Sequence, residues 1–175
     1  MEITMTVPGA IGLLETAVRT LAEDGFSVGM GTVLDAETAR LAILAGAAFV
    51  VSPILNPSII EVCKRYSVAV ISGAMTPTEA FSGWQAGADV VKVFPAGIGG
   101  PRFFREMKGP LPQIKLMPTG GVNLETAPEF IRAGAFAVGV GGALVSRAVI
   151  KSGDFETLQN TARKFVHAVS EARLP

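Results

Sequence analysis

The 175-residue chain has one cysteine, one histidine, one tryptophan and one tyrosine, and no excess charge of either sign. A lone cysteine, Cys63, excludes an intrachain disulfide framework. With a single histidine, His167, the chain lacks the residues of the usual His/Cys zinc clusters, so no metal is expected. His167 also lies among helix-forming residues near the C-terminus, which argues against a Ser-His-Asp triad. Fifteen Lys and Arg balance fifteen Asp and Glu, which is not the electrostatic footprint of a nucleic-acid binder. No segment reaches the roughly 18 uninterrupted apolar residues of a membrane helix. The opening residues 1–10 carry an acid at position 2 and no basic region, unlike a secretory signal. These absences predict a soluble, cytoplasmic chain.

What is present is a large apolar fraction, 49%, enough to build a substantial core. Short β-branched runs alternate with longer helical patterns. The predicted strands are Ile3–Val7, Ser27–Val33, Ala48–Val51, Val68–Ile71, Asp89–Phe94, Ile114–Met117 and Phe136–Val140. Most are apolar on both faces, as parallel strands covered by helices must be. Asp35, Asn56 and Thr76 are predicted N-caps, the last in a Thr-Pro-Thr-Glu capping box. Asn123 is a fourth, with Pro128 pointing to a late or kinked start. Residues 155–172 read as one amphipathic helix with Leu158, Ala162, Phe165, Val166 and Val169 on one side. Three helix patterns end in Ala-Gly-Ala, at Gly46, Gly87 and Gly134, where glycine supplies a left-handed C′ residue. Thr32, Ser52, Ser72 and Lys92 recur every 20 residues near strand ends, a βα repeat expected to deliver polar groups to one rim.

Strand–helix alternation without hairpin signals means an α/β protein with a parallel sheet. The dinucleotide fingerprint GxGxxG is absent after the first strand, and no cofactor is expected. A closed barrel is favoured over an open doubly wound sheet. Only about seven βα units are visible, whereas a (β/α)8 barrel commonly needs about 200 residues or more.

Lys92 is the most informative residue. It lies in Val90-Val91-Lys92-Val93-Phe94, apolar on both sides. The plain reading is a lysine snorkelling from a strand end. The sharper one is an amine held dry, its pKa lowered by desolvation, able to form a Schiff base with a carbonyl. Glu2 reads alone as a terminal surface acid, and beside Lys92 as a proton-transfer group. Gly120-Gly121 and Gly141-Gly142 follow successive strands, where bare backbone N–H groups can approach an anion, although tight turns are the alternative. Cys63 and His167 read as structural. Arg102, Arg105 and Lys108 form a basic helix face, read as solvated or as bordering a substrate entrance.

The stretches Glu2-Ile3-Thr4, Gly29-Met30-Gly31-Thr32-Val33-Leu34, Ser52-Pro53, Val91-Lys92-Val93-Phe94-Pro95-Ala96, Pro118-Thr119-Gly120-Gly121 and Val140-Gly141-Gly142 occur in that order. Together they resemble the class I 2-keto-3-deoxy-6-phosphogluconate (KDPG) and 4-hydroxy-2-oxoglutarate (KHG) aldolase family over essentially the whole chain. The resemblance implies one TIM-type (β/α)8 barrel domain over residues 1–175, a homotrimer, a small keto-acid substrate and no metal. It makes Lys92 the Schiff-base lysine and Glu2 the general acid/base. Thr32, Pro53 and Thr119 would surround the pyruvyl part, and Gly120, Gly121, Gly141 and Gly142 would bind phosphate. The implied reaction is cleavage of a 2-keto-3-deoxy-6-phospho sugar acid to pyruvate and glyceraldehyde 3-phosphate. The alternatives are cleavage of 4-hydroxy-2-oxoglutarate and a catalytically weak, truncated phosphate-binding barrel. Thr6 stands where many members carry an arginine, and Ala143 where many carry a serine. The family's first strand and helix have no counterpart, so the chain starts where their second strand stands. Lower stability and activity than in a chain longer by one βα unit are therefore expected.

Overall fold

The computed structural model describes residues 1–21 and 25–174. The chain divides into two compact units, Met1–Lys92 and Val93–Pro175.

In the first unit, β1 (Glu2–Thr4), α1 (Ala10–Leu21), β2 (Gly29–Gly31), α2 (Ala36–Leu44), β3 (Phe49–Val51), α3 (Pro57–Arg65), β4 (Ala69–Ala74) and α4 (Pro77–Gln85) alternate without exception. The strand β5 (Val90–Val93) follows and carries the chain into the second unit. Each of β1 to β4 is parallel to the next, with Glu2 opposite Gly29, Met30 opposite Val50 and Val51 opposite Ile71. Strands stand in the sheet in their chain order, the sequential βα arrangement of TIM-type proteins. The core is apolar and tightly closed: Leu14, Met30, Val50, Ile59, Ile60, Cys63 and Val70 are all within 1% of complete burial.

The predicted caps form as local chemistry requires. Asp35 accepts the Thr38 N–H at 2.6 Å and Asn56 accepts that of Ser58 at 3.1 Å. Thr76 accepts from the Glu79 N–H at 3.2 Å while Glu79 accepts from the Thr76 N–H at 2.9 Å, completing the box. Gly46, Gly87 and Gly134 have φ of 91°, 104° and 93°, the left-handed conformation expected after the helix ends.

The start of β5 has an anchor that the sequence reading did not include. Asp89 accepts the Val70 N–H at 2.8 Å through one carboxylate oxygen and the Lys64 ammonium at 2.9 Å through the other. One side chain thus ties β5 to β4 and to α3.

The second unit holds a short 3-10 turn (Ala96–Ile98), α5 (Gly100–Lys108), β6 (Leu116–Pro118), α6 (Thr126–Arg132), α7 (Arg147–Ser152) and α8 (Phe155–Ala172). Phe104 of α5 and Phe130 of α6 meet edge to face, ring centres 5.0 Å apart, at its core. The helix α8 has the predicted bounds, but of its expected apolar side Phe165 is buried and Val166 is exposed. The predicted strand Phe136–Val140 is reduced to one parallel bridge between Gly139 and Thr119. Phe136 N–H still donates to Leu116 at 2.8 Å and Gly139 N–H to Pro118 at 2.8 Å. Apolar β-branched content here marks proximity to β6, not a full ladder. Asn123 also stands two residues before the N-cap position of the helix it was expected to cap. Its Oδ1 accepts from the Glu125 and Thr126 N–H groups at 2.9 and 2.8 Å, so α6 begins at Thr126, short of Pro128. Among the described residues no helix is long and apolar enough to cross a membrane.

Candidate active site

Lys92 is the third residue of β5 and is only 6% exposed. Burial holds its amine below the ordinary lysine pKa, because the ammonium form loses hydration, and the Glu2 carboxylate opposes this shift. Glu2 opens β1. Though the residue keeps an exposed surface, loss of hydration around its carboxyl raises its pKa above the usual glutamate value. The Lys92 ammonium and the N-terminal ammonium oppose that rise. Each group thus feels the other's charge. The lysine is shifted toward its neutral, nucleophilic form and the glutamate toward holding a proton. Such opposed shifts suit a nucleophile beside a general acid/base.

Why Glu2 fits where it does follows from β2. Glu2 pairs with Gly29 and Thr4 with Gly31. The space that a side chain at Gly31 would occupy is filled by the Glu2 carboxylate. The Met1 ammonium donates to the Ser27 carbonyl at 2.6 Å, and the Gly29 N–H donates to Met1 at 2.9 Å. The short β1 is thereby held at its first residue.

Thr32 comes directly after β2, and Pro53 stands two residues after the end of β3. Thr32 has φ of 57°, a left-handed conformation rare for a β-branched residue and costing about 1–3 kcal/mol. Next to it, the Val33 N–H donates to Val51 at 3.1 Å, which helps hold this turn. Pro53 packs its carbonyl group where a Gly73 side chain would stand, so only glycine allows that close approach. The 20-residue register does not deliver all four polar groups to one rim. Ser72 is buried beside Gly83 of α4, its hydroxyl without a hydrogen-bond partner among the described residues, and Ser52 Oγ accepts the Ile54 N–H at 3.2 Å within its own turn.

In the second unit Thr119, Gly120, Gly121, Gly141 and Gly142 line one cavity of about 490 Å3, closed on one side by Phe94. Gly120 and Gly121 are both left-handed, with φ of 81° and 79°. Their loop is clasped from two directions. The Ala96 and Gly97 N–H groups each donate at 2.9 Å, to Thr119 and Gly120. The Thr126 hydroxyl donates to Gly121 at 3.2 Å. Among the described residues no backbone carbonyl accepts from the N–H groups of Gly120, Gly121, Gly141 or Gly142. Thr119 Oγ1 is buried in the same place with no hydrogen-bond partner among the described residues. A cavity with uncommitted donors and an unsatisfied hydroxyl is suited to an anionic, oxygen-rich group.

Phe94, Thr126, Asp89 and Gly31 were not assigned site roles from sequence. Phe94 stood inside the Lys-x-Phe-Pro stretch, a signal read only for its lysine. The basic face of α5 is corrected in part. Arg102 and Arg105 line a separate cavity with Arg132 and Glu129. Lys108 is half-buried rather than free in solvent: its ammonium donates to the Pro112 and Ile114 carbonyls at 3.0 and 2.7 Å, and partial burial lowers its pKa. It clamps the turn that leads into β6. Cys63 is fully buried, which pushes its thiol up to about 11, and exposed His167 sits 3.3 Å from Glu171 on α8.

The sequence model of the KDPG and KHG aldolase family matches residues 1–161. The chain is 33% identical to a 2-dehydro-3-deoxy-phosphogluconate aldolase of Pseudomonas aeruginosa, covering 99% of this chain and 78% of that one. The solved native KDPGal structure superposes with a TM-score of 0.90 at 30% identity, covering 98% of this chain and 81% of that chain. The KDPG aldolase of Legionella pneumophila superposes with a TM-score of 0.84 at 26% identity, covering 97% and 79%. That structure holds pyruvate captured as a covalent carbinolamine.

Proposed function

Because this chain belongs to the KDPG and KHG aldolase family, we propose that it is a class I aldolase cleaving a 2-keto-3-deoxy-6-phospho sugar acid reversibly to pyruvate and glyceraldehyde 3-phosphate. The observation that carries this reading is a buried amine, Lys92, whose pKa burial lowers, within the electrostatic reach of a carboxyl, Glu2, whose pKa burial raises. The captured carbinolamine of the Legionella enzyme is the species such an amine forms with pyruvate.

Lys92 Nζ, neutral, attacks the C2 ketone and gives a carbinolamine. Loss of water yields a protonated imine. Glu2, directly or through water, takes the proton of the C4 hydroxyl. The C3–C4 electron pair moves into the imine, C4 leaves as the aldehyde of glyceraldehyde 3-phosphate, and an enamine remains on Lys92. Protonation at C3 and hydrolysis release pyruvate and restore the amine. A general acid/base in this position contributes about 10²–10⁴-fold. Thr32, Pro53 and Thr119 are the proposed neighbours of the pyruvyl group. Gly120, Gly121, Gly141 and Gly142 are the proposed phosphate donors, supported by their open N–H groups around one cavity. A cytoplasmic homotrimer is the proposed setting.

Incubation with pyruvate and borohydride should add one reduced pyruvyl group at Lys92. Labelling that persists in Lys92→Ala removes this lysine from the mechanism. Cleavage of 4-hydroxy-2-oxoglutarate is a second reading, favoured by two observations. Thr6 is engaged with the Thr4 hydroxyl at 2.7 Å, and Ala143 brings no hydroxyl to the glycine-lined cavity. Equal kcat/KM for that substrate and for the phosphorylated six-carbon acids would argue against a working phosphate site, and a higher value for 4-hydroxy-2-oxoglutarate would select it.

A further inference from the structure

We propose that Gly31 is a positioning residue for Glu2: by carrying no side chain it leaves the space on β2 that the Glu2 carboxylate fills, and this fixes where the proton-transfer group stands. The inference rests on the reading of Glu2 as general acid/base and deepens it. Three observations support it. Gly31 is buried and pairs with Thr4, two residues along β1 from Glu2. A methyl group at Gly31 would overlap Glu2 Oε1 and Cδ and lie 2.7 Å from Cγ, and all three nearest atoms belong to Glu2. Gly31 is also not left-handed, so its backbone accepts alanine, and the position demands glycine only because of what lies against it.

Two other strand glycines, in β2 and β4, behave differently. A methyl at Gly29 meets the ring of Phe49, with Cγ at 2.6 Å, and one at Gly73 meets the Pro53 backbone. The Phe49 ring can only swing aside as a whole and the Pro53 backbone cannot rotate away, so those glycines serve packing. At Gly31 the obstacle is the flexible end of one side chain. The fold can yield there at small cost by turning Glu2 aside, whereas the chemistry cannot, since misplacement by about 1 Å costs on the order of 10²-fold.

The experiment compares Gly31→Ala, Glu2→Gln and the double variant. The readouts are melting temperature, pyruvate trapping by borohydride, kcat and KM. Gly31→Ala should trap pyruvate within about twofold of the wild type and melt no lower, since alanine stiffens the unfolded chain. Its kcat should fall about 10²-fold with little change in KM. The double variant should be no slower than Glu2→Gln, because the methyl acts only through the carboxylate. Unchanged kcat in Gly31→Ala overturns the proposal, as does a double variant more than about tenfold slower than Glu2→Gln. Full turnover in Glu2→Gln instead defeats the reading of Glu2 itself, whatever Gly31→Ala does. Should Gly31→Ala fail to fold, Glu2→Ala is compared with Glu2→Ala/Gly31→Ala. With the carboxylate gone the methyl meets none of those atoms, and a lower melting temperature in the double variant refutes the steric assignment.

Discussion

Replacing Gly121 by alanine tests the glycine-lined cavity most directly. Gly121 has φ of 79°, where an alanine costs about 1–2 kcal/mol. The added methyl would lie 2.8 Å from the Gly97 Cα and 3.2 Å from its nitrogen. Both are backbone atoms, so no rotamer relieves the contact, and forced overlap of this kind adds about 1–3 kcal/mol. The stiffer unfolded chain returns up to about 1 kcal/mol. A net loss of about 1–4 kcal/mol is expected, with displacement of the loop that the Ala96 and Gly97 N–H groups clasp. Gly141→Ala is the internal control. Its φ is not left-handed, and a methyl there meets nothing within 4 Å. Urea unfolding should therefore separate the two variants by about 2 kcal/mol or more. Gly121→Ala should raise KM for phosphorylated substrate while Lys92 still traps pyruvate. A stability loss under about 0.5 kcal/mol in Gly121→Ala would refute the reasoning, because both the conformation and the approach to Gly97 would then have to be wrong.

Four further outcomes follow from the first unit. Folding lowers the Lys92 pKa, so the unfolded chain binds more protons and stability rises with pH up to the ordinary lysine value. Lys92→Met should abolish turnover, raise stability at neutral pH and remove that part of the pH dependence seen in denaturant melts. In the wild type kcat/KM should climb on the acid side with an apparent pKa below that of free lysine. Asp89→Ala should cost about 1–3 kcal/mol, since it takes the acceptor from the Val70 N–H, whereas Lys64→Ala should cost under about 1 kcal/mol because that ion pair is half exposed. Cys63, buried with its thiol pushed up to about 11, should resist thiol reagents in the native state and react in urea.

The features legible in the sequence were those made by residues a few positions apart. Asp35, Asn56 and Thr76 bond to N–H groups two or three residues on, so the pattern that writes the bond also names its partner. The left-handed glycines at 46, 87 and 134 follow likewise from helix ends that need them. Lys92 was legible for a different reason: a charged group in an apolar strand is conspicuous whatever surrounds it. What only the tertiary structure decided depends on neighbours 19 or more residues away. The run Phe136–Val140 has the composition of a strand, yet pairing is a property of two segments, and beside β6 only one bridge forms. Asp89 reads as a strand-flanking acid until β4 and α3 bring it the Val70 N–H and the Lys64 ammonium. Gly31 reads as one glycine of a Gly-Met-Gly run, and its meaning lies in the Glu2 side chain laid across it from the adjacent strand. Local hydrogen bonds are encoded where they occur, whereas burial, close approach and pKa are set by atoms that folding alone brings into contact.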